Sequence, residues 1–206
     1  IEKYQFTEIA GVGDTVSLHV SSNGLTPDAR KAQLIEATDY WIGLTLLRSK
    51  SLAIVYGVAQ GLMDEMQKSR KKGLMFTTYE HRDNSQVYQT GVGKCYARLK
   101  SVETLLDAVC KINDAAALEA RALTEQEKID SRAQVIVGIN ILTDVTTDLM
   151  DLCGTSGFAT ASPAQRYWRD FMISSRHAMF AADPGYETIG KYILGIEPNI
   201  TPPTLY

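Results

Sequence analysis

The chain of 206 residues lacks paired cysteines, long apolar runs and an excess of basic residues. Its three cysteines, Cys95, Cys110 and Cys153, are widely spaced and form no CxxC pair, so neither a disulfide framework nor a zinc site is indicated. No apolar run approaches the roughly 20 residues that a membrane-spanning helix needs. A formal net charge of -3 provides no basic surface for nucleic acid. We therefore expect a cytoplasmic protein that binds neither nucleic acid nor a membrane.

Familiar enzyme motifs are missing as well. The sequence has no GxGxxG after a strand, no P-loop, no HExxH and no GxSxG. His19 and His81 lie in segments expected to be strand and loop, and no metal-ligand spacing surrounds them, so no metal site is predicted. A third histidine, His177, lies in a region of helical pattern and remains the candidate for chemistry.

The two ends of the chain differ in pattern from its middle. Residues 1–37 predict a short extended or β segment, because Val16, Leu18 and Val20 alternate with polar neighbours. The chain starts at Ile1 without Met or a charged-then-apolar leader, which suggests that the true N-terminus has been removed or lies elsewhere, and the segment is a candidate remnant of a preceding domain. Residues 198–206 are proline-rich and predict an extended tail.

Residues 38–197 predict an all-α domain. Apolar residues recur at helical spacing over about 38–70, and that helix ends in KSRKKG, where Gly73 is expected to take the left-handed conformation. A second helix is predicted over about 85–113. A third starts at the capping box formed by Thr124 and Glu127 and stops at Cys153-Gly154.

The last helices carry His177 between them. Ser162 as N-cap and Pro163 at the first position start a fourth helix that is expected to run toward His177. Asp183-Pro184 then starts a short fifth helix that stops at Gly195. Since each apolar stripe must be buried against a neighbour, the fold class expected is an antiparallel four-helix bundle with a short C-terminal helix.

His177 has two interpretations. Ser174 and Arg169 precede it by three and eight positions, so the three side chains can share one helix face and form the wall of a polar pocket. The plainer alternative is a network within the helix, in which Arg169 or Arg166 pairs with Asp170 or Asp148.

Two further stretches suggest anion binding, each with an ordinary alternative. CGTSGFATASP runs into a helix N-terminus, where backbone amides can bind an anion, although the G-x-x-G spacing also suits a plain helix-to-helix turn. In KSRKKG the cations Arg70, Lys71 and Lys72 can bind a phosphate or simply form a solvated helix end.

The order of these stretches matches a known family. The first helix contains AIVYGVAQGLMDEMQKSRKK, the third ends in DLMDLCGTSGF, and SPAQRYWRDFMISSRHAMFAADPGYETIGKYILG follows. Over about residues 38–195 the chain resembles the C-terminal helical domain of the acyl-CoA dehydrogenase superfamily. More narrowly, it is similar to the branch of two-component flavin-dependent monooxygenases, which includes the 4-hydroxyphenylacetate and dibenzothiophene oxygenases.

The resemblance implies a homotetramer that binds a flavin cofactor, FMN or FAD. A separate flavin reductase would supply that flavin in its reduced form. It places His177 at the reactive edge of the flavin ring, as the catalytic residue that hydrogen-bonds the oxygenated cofactor. It assigns Arg70 and the loop residues Gly154, Ser156 and Gly157 to the phosphate-bearing arm of the flavin. Arg169 belongs to the same cofactor-binding set, with a supporting role shared with Trp168 and Asp170.

The function implied is oxygenation of a small organic substrate with reduced flavin and O2. An acyl-CoA dehydrogenase is the alternative, but it needs a carboxylate base, and the nearest glutamate after His177 is Glu187, beyond the Asp183-Pro184 break. A second alternative is a non-catalytic helical oligomerisation module. It is favoured by the absence of the helical and β domains that precede the bundle in the superfamily, which suggests either a fragment or a natural short form.

Overall fold

The computed structural model describes residues 43–119, 121–197 and 199–200. All regular elements within these ranges are helical, so the all-α prediction is confirmed for them. The predicted β segment at 1–37 and most of the predicted tail lie outside the described residues. The α-helices are α1 (Gly43–Lys68), α2 (Gln86–Leu118), α3 (Glu125–Cys153), α4 (Pro163–Ser174) and α5 (Ala182–Leu194), with 3-10 turns at Arg82–Asn84, Thr155–Phe158 and Ala178–Phe180.

Helices α1 and α2 form an antiparallel pair. The Tyr88 hydroxyl donates to Met66 Sδ at 2.8 Å, which joins the start of α2 to the end of α1. At the other end Asn113 Nδ2 donates to Ser49 Oγ at 3.3 Å. The connection between the two helices, residues 69–85 with the 3-10 turn Arg82–Asn84, therefore returns the chain along α1.

Helix α3 lies against both members of this pair, and α4 packs against α1 and α3. One continuous core fills the space between these four helices, because their apolar stripes face one another. No helix in the described part of the chain is long and apolar enough to cross a membrane. The side chains that are fully enclosed include Leu52, Leu62, Val102, Leu142, Leu149 and Phe171.

Helix α5 continues the chain along the first half of α3 in the opposite direction. Asn140 Nδ2 donates to the Tyr186 hydroxyl at 3.1 Å, and the Tyr192 hydroxyl donates to Gln126 Oε1 at 3.2 Å. The close approach requires a glycine, since a Cβ at Gly185 would overlap the buried Ile136 side chain. As predicted, α5 ends at Gly195, which has a left-handed φ of 67°.

The start of α3 confirms the predicted capping box. Thr124 Oγ1 accepts from the Glu127 amide at 3.2 Å, and Glu127 Oε2 accepts from the Thr124 amide at 2.8 Å. Arg121 donates to both carboxylate oxygens of Glu127, at 2.8 Å each. The bonds from Arg121, followed by the Thr124 amide, lower the pKa of Glu127 to about 2.

The Glu127→Gln variant is expected to lose stability in a pH-dependent way. Because the folded pKa of Glu127 lies below its ordinary value of 4.5, this carboxylate stabilises the protein above pH 4.5, and the contribution disappears as the pH falls toward 2. The loss near neutral pH should be about 0.5–1 kcal/mol, since the pair is partly solvated. Urea unfolding of both proteins between about pH 7 and 2.5 measures it. A difference independent of pH would contradict this, and Glu125→Gln, which removes the Lys128 pair, is the matched control.

The end of α1 differs from the prediction. The helix stops at Lys68, and Gly73 does not have a positive φ, so the expected left-handed glycine there is wrong. The carbonyls that follow α1 are instead satisfied by the returning loop. The Arg82 amide donates to Lys72 O at 3.0 Å, and the Asp83 amide donates to Arg70 O at 3.3 Å. Helix α2 also runs on to Leu118, beyond the predicted end.

Candidate functional site

His177 lies in the break between α4 and α5. Helix α4 begins with Pro163 at its first turn, as predicted, although Ser162 makes no side-chain cap bond. The helix ends at Ser174, and the His177 amide donates back to Ser174 O at 3.2 Å. The expectation that His177 shares a helix face with Ser174 and Arg169 is therefore wrong, because the chain leaves the helix before residue 177.

The structure gives the His177 ring a defined role in its own loop. His177 is the N-cap of the turn Ala178–Phe180, and its Nδ1 accepts from the Met179 amide at 3.2 Å. In the neutral ring this bond assigns the proton to Nε2, so Nε2 is a hydrogen-bond donor. The ring is exposed, whereas Phe171 before it and Phe180 after it are buried in the core. An exposed donor is thus held between two anchored segments.

Arg169 makes the ion pair that the plainer interpretation predicts. Its Nη2 lies 2.9 Å from Asp170 Oδ1, and both side chains are about half exposed. Asp148, the other suggested partner, instead pairs with Arg98 of α2 at 2.7 Å. Arg169 therefore lies on the surface of α4 beside its ion-pair partner.

The CGTSGF loop forms a tight turn at the end of α3. Gly154 ends the helix with a φ of 69°, and the Gly157 amide donates to Gly154 O at 2.8 Å. Gly157 is buried, and a Cβ there would lie 2.6 Å from Cys153 Cβ. Phe158 packs edge-on against Trp168 of α4, with ring centroids 5.7 Å apart. The Gly154 amide donates back to Met150 O and Asp151 O of α3, so both glycine amides are bonded to backbone, which agrees with the plain-turn interpretation of the spacing.

Arg82 holds this turn and was missed by sequence reasoning. Its Nη1 donates to Leu152 O at 3.0 Å and to Cys153 O at 2.9 Å, and also reaches Ser69 Oγ at 3.2 Å. No sequence signal could have identified it, since the carbonyl partners lie 70 and 71 positions away along the chain.

Arg70 borders an open groove between the end of α1 and the start of α2. The groove has a volume of about 530 Å³. Arg70 itself is exposed, and the Asp83 amide bonded to its carbonyl belongs to the same 3-10 turn as Arg82. The 3-10 turn Arg82–Asn84 therefore contacts both the Arg70 segment and the start of the CGTSGF loop. The groove is lined largely by apolar and aromatic side chains, including Met63, Met66, Tyr88, Val92 and Tyr96.

The predicted site residues thus fall into two groups. Arg70, Gly154, Ser156 and Gly157 lie where α1, α2 and α3 meet, whereas Arg169 lies on the surface of α4 and His177 lies beyond its far end. The 12 residues of α4 rise by about 18 Å, which separates the two groups by roughly that distance along the helix. A ligand that touches both groups on one chain must be long, or the two groups serve different copies of the chain.

Comparison with known proteins places these features in a family. Residues 51–182, well over half of the chain, match the family described as acyl-CoA dehydrogenase, C-terminal domain. A pigment production hydroxylase from a Rhodococcus species is 26% identical over 143 residues, which cover 69% of this chain and 36% of that protein.

Solved structures share the fold. XiaF from a Streptomyces species, in complex with FADH2 and glycerol, matches with a TM-score of 0.72 and 25% identity over 89% of this chain and 44% of its own. The HsaA monooxygenase from M. tuberculosis matches with a TM-score of 0.66 and 15% identity over 79% of this chain and 40% of its own. The chain therefore spans less than half the length of the relatives it matches. It belongs to the family of acyl-CoA dehydrogenase C-terminal domains, as the sequence predicted.

Proposed function

We propose that the chain, with residues 38–197 as one domain, is the C-terminal part of a flavin-dependent monooxygenase that uses reduced flavin and O2 on a small organic substrate. The observation that carries this proposal is the likeness to XiaF, whose structure contains FADH2. The hydroxylase and monooxygenase names of the other relatives support it. A homotetramer and a separate flavin reductase complete the proposal.

The bound flavin would supply the redox chemistry, and the residues of this chain would supply placement and hydrogen bonds. His177 is proposed to donate from Nε2 to the reactive edge of the flavin ring, since its Nδ1 already accepts from the Met179 amide. Arg70 provides an exposed cation beside the groove for the phosphate-bearing arm. Gly154, Ser156 and Gly157 shape the adjacent loop, and Arg169 stabilises the surface of α4 through Asp170.

The dehydrogenase alternative receives no support from the geometry. Proton removal next to a thioester carbonyl needs a carboxylate base. Glu187 lies within α5 and forms an ion pair with Lys191 one turn later. That pairing favours an ordinary surface role for Glu187.

Anaerobic titration of the enzyme that contains this domain with reduced FAD and reduced FMN, combined with size-exclusion chromatography, tests the proposal. Saturable binding by a tetramer is the expected result, and XiaF's ligand favours FAD as the tighter of the two. If the folded enzyme that contains this domain binds neither flavin, the proposal is contradicted and the oligomerisation module is favoured. The titration therefore separates a cofactor site from a purely structural bundle.

The His177→Ala variant is expected to uncouple oxygen use from product formation. The protein would still assemble and bind reduced flavin, because the ring lies outside the core and between two buried phenylalanines. Removing a donor to developing negative charge typically costs 10²–10³-fold in rate, so product yield should fall at least about tenfold while hydrogen peroxide rises. Product and peroxide per flavin oxidised are the measurement, in the enzyme that contains this domain.

His81→Ala is the matched control for that experiment. His81 is also a loop histidine, and its Nδ1 donates to Lys71 O at 2.8 Å, so its loss perturbs a loop without touching the α4–α5 break. A His177→Ala enzyme that makes as much product as the wild type, with no added peroxide, would remove His177 from the mechanism, and a similar loss in His81→Ala would show that the effect is not specific to His177.

A further inference from the structure

Arg82 connects three separate parts of the chain with one guanidinium. Nη1 donates to the last carbonyls of α3 and to Ser69 Oγ just beyond α1. The Arg82 carbonyl accepts from the Ser85 amide at 3.0 Å, and Ser85 is the N-cap of α2. The ends of α1 and α3 and the start of α2 therefore meet at this residue.

The bonds from Arg82 satisfy two carbonyls at the end of α3, of which Cys153 O also accepts from Ser156 Oγ at 3.4 Å. Leu152 O and Cys153 O belong to the last turn, where the helix itself provides no donors. A cation at this end is also favoured by the helix dipole. These two effects alone would make Arg82 a stabilising cap.

The contact with Gly154 goes further than a cap requires. A Cβ at Gly154 would lie 3.3 Å from Arg82 Nη2, so the guanidinium lies directly against the first glycine of the CGTSGF turn. Gly154 also has a φ of 69°, which side-chain-bearing residues rarely adopt. The guanidinium and the turn are thus in close contact, so that neither can shift without displacing the other.

The same residue fixes the Arg70 segment through its backbone. The Arg82 amide donates to Lys72 O, and the next amide, that of Asp83, donates to Arg70 O. Arg82 Nε is buried without a hydrogen-bond partner among the described residues, a cost that a residue selected only for stability would avoid. The Arg82 side chain therefore binds the end of α3 that leads into the CGTSGF turn, while the adjoining Arg82 and Asp83 amides bind the Arg70 segment.

We propose that Arg82 is a positioning residue, which sets the spacing between Arg70 and the CGTSGF turn for the phosphate-bearing arm of the flavin. This inference rests on the proposed function. Arg82 acts through the two elements that it joins, and its guanidinium remains bonded to α3.

Reduced flavins with and without a phosphate test this role. In Arg82→Met the Kd for reduced FAD should rise about tenfold or more, as expected when charge-assisted hydrogen bonds that order a site are lost. The Kd for reduced riboflavin, which has no phosphate, should change less than about twofold. Arg82→Lys should recover thermal stability, because it keeps the charge at the end of α3, but it should not recover FAD affinity, because an ammonium cannot bridge the same partners.

Amide hydrogen exchange in the absence of flavin tests separately whether Arg82 holds the two segments in place. Amides of residues 70–74 and 154–158 should exchange at least about tenfold faster together in Arg82→Met, while the interior of α3 stays protected. The control is Arg98→Met, which removes an exposed ion pair between α2 and α3.

The outcomes separate the two proposals. Unchanged exchange in both segments, or equal losses of riboflavin and FAD affinity, would overturn the role of Arg82. If the wild-type enzyme that contains this domain binds no reduced flavin, the proposed function and the flavin role of Arg82 are both overturned, whereas coupled exchange would still establish that Arg82 joins the two segments.

Discussion

Replacement of Phe171 with alanine is expected to lower the free energy of unfolding by about 3–5 kcal/mol. Phe171 is 0% exposed and is the largest of the fully enclosed side chains. It is also the main anchor of α4, whose other buried residue is the small Ala164. At 12 residues α4 is too short to be stable alone, so it depends on this packing. Urea unfolding followed by circular dichroism measures the loss.

Ile173 provides the control on the same helix. It is 68% exposed, so Ile173→Ala should change the free energy of unfolding by less than about 0.5 kcal/mol. Phe171→Leu should fall between the two, because it leaves a smaller cavity. If Phe171→Ala costs no more than Ile173→Ala, then α4 is not held by the core, and the position assigned to His177 beyond its end loses its support.

Those parts of the fold whose signals are local were predictable from the sequence. The capping box joins residues three positions apart, and both of its bonds form. Pro163 at the first turn of α4 and Gly195 at the end of α5 act through their own backbone angles, and both occupy the predicted positions. The conformational preferences of such residues depend on their immediate neighbours and not on distant parts of the chain.

Features that depend on distant partners could not be predicted in this way. Gly73 looks like a helix-ending glycine, but Arg82 and Asp83 satisfy the carbonyls that such a glycine would serve. The end of α4 before His177 likewise has no proline or glycine to mark it. The residue types of the candidate site were therefore predictable, whereas the turn that joins Arg70 to the CGTSGF loop was not.

Arg132 is a buried charge that the sequence pattern could have revealed. Ile129, Arg132 and Ile136 recur at the three- and four-residue spacing of one face of α3. That face is covered in the structure, and Arg132 is only 8% exposed. Its Nη1 is buried and has no hydrogen-bond partner within the described ranges, and burial lowers the pKa of its guanidinium.

The charge of Arg132 also acts on a second arginine. Burial, followed by repulsion from Arg132, lowers the pKa of Arg48 to about 10. Both effects mean that the folded state disfavours these cations relative to water. Removing the Arg132 charge should therefore abolish both its own cost of burial and its repulsion of Arg48.

The Arg132→Met variant is therefore expected to unfold with a free energy about 1–3 kcal/mol higher than that of the wild type. A buried ion without a full set of partners costs more than an apolar side chain of similar length, and methionine keeps most of the volume of the arginine stem. Arg98→Met is the matched control, because it removes an exposed ion pair and should cost at most about 1 kcal/mol. Urea unfolding at low protein concentration measures both variants.

The sign of the Arg132→Met effect separates two explanations for the buried charge. A gain in stability means that the chain carries Arg132 at a cost, as expected of a residue whose partner is supplied by something other than the described residues. A loss of more than about 1 kcal/mol means that the guanidinium already has a stabilising acceptor, because removing one member of a satisfied buried pair costs about 3–5 kcal/mol. In that case stability should also depend on protein concentration if the acceptor belongs to a second copy, since assembly then contributes to folding.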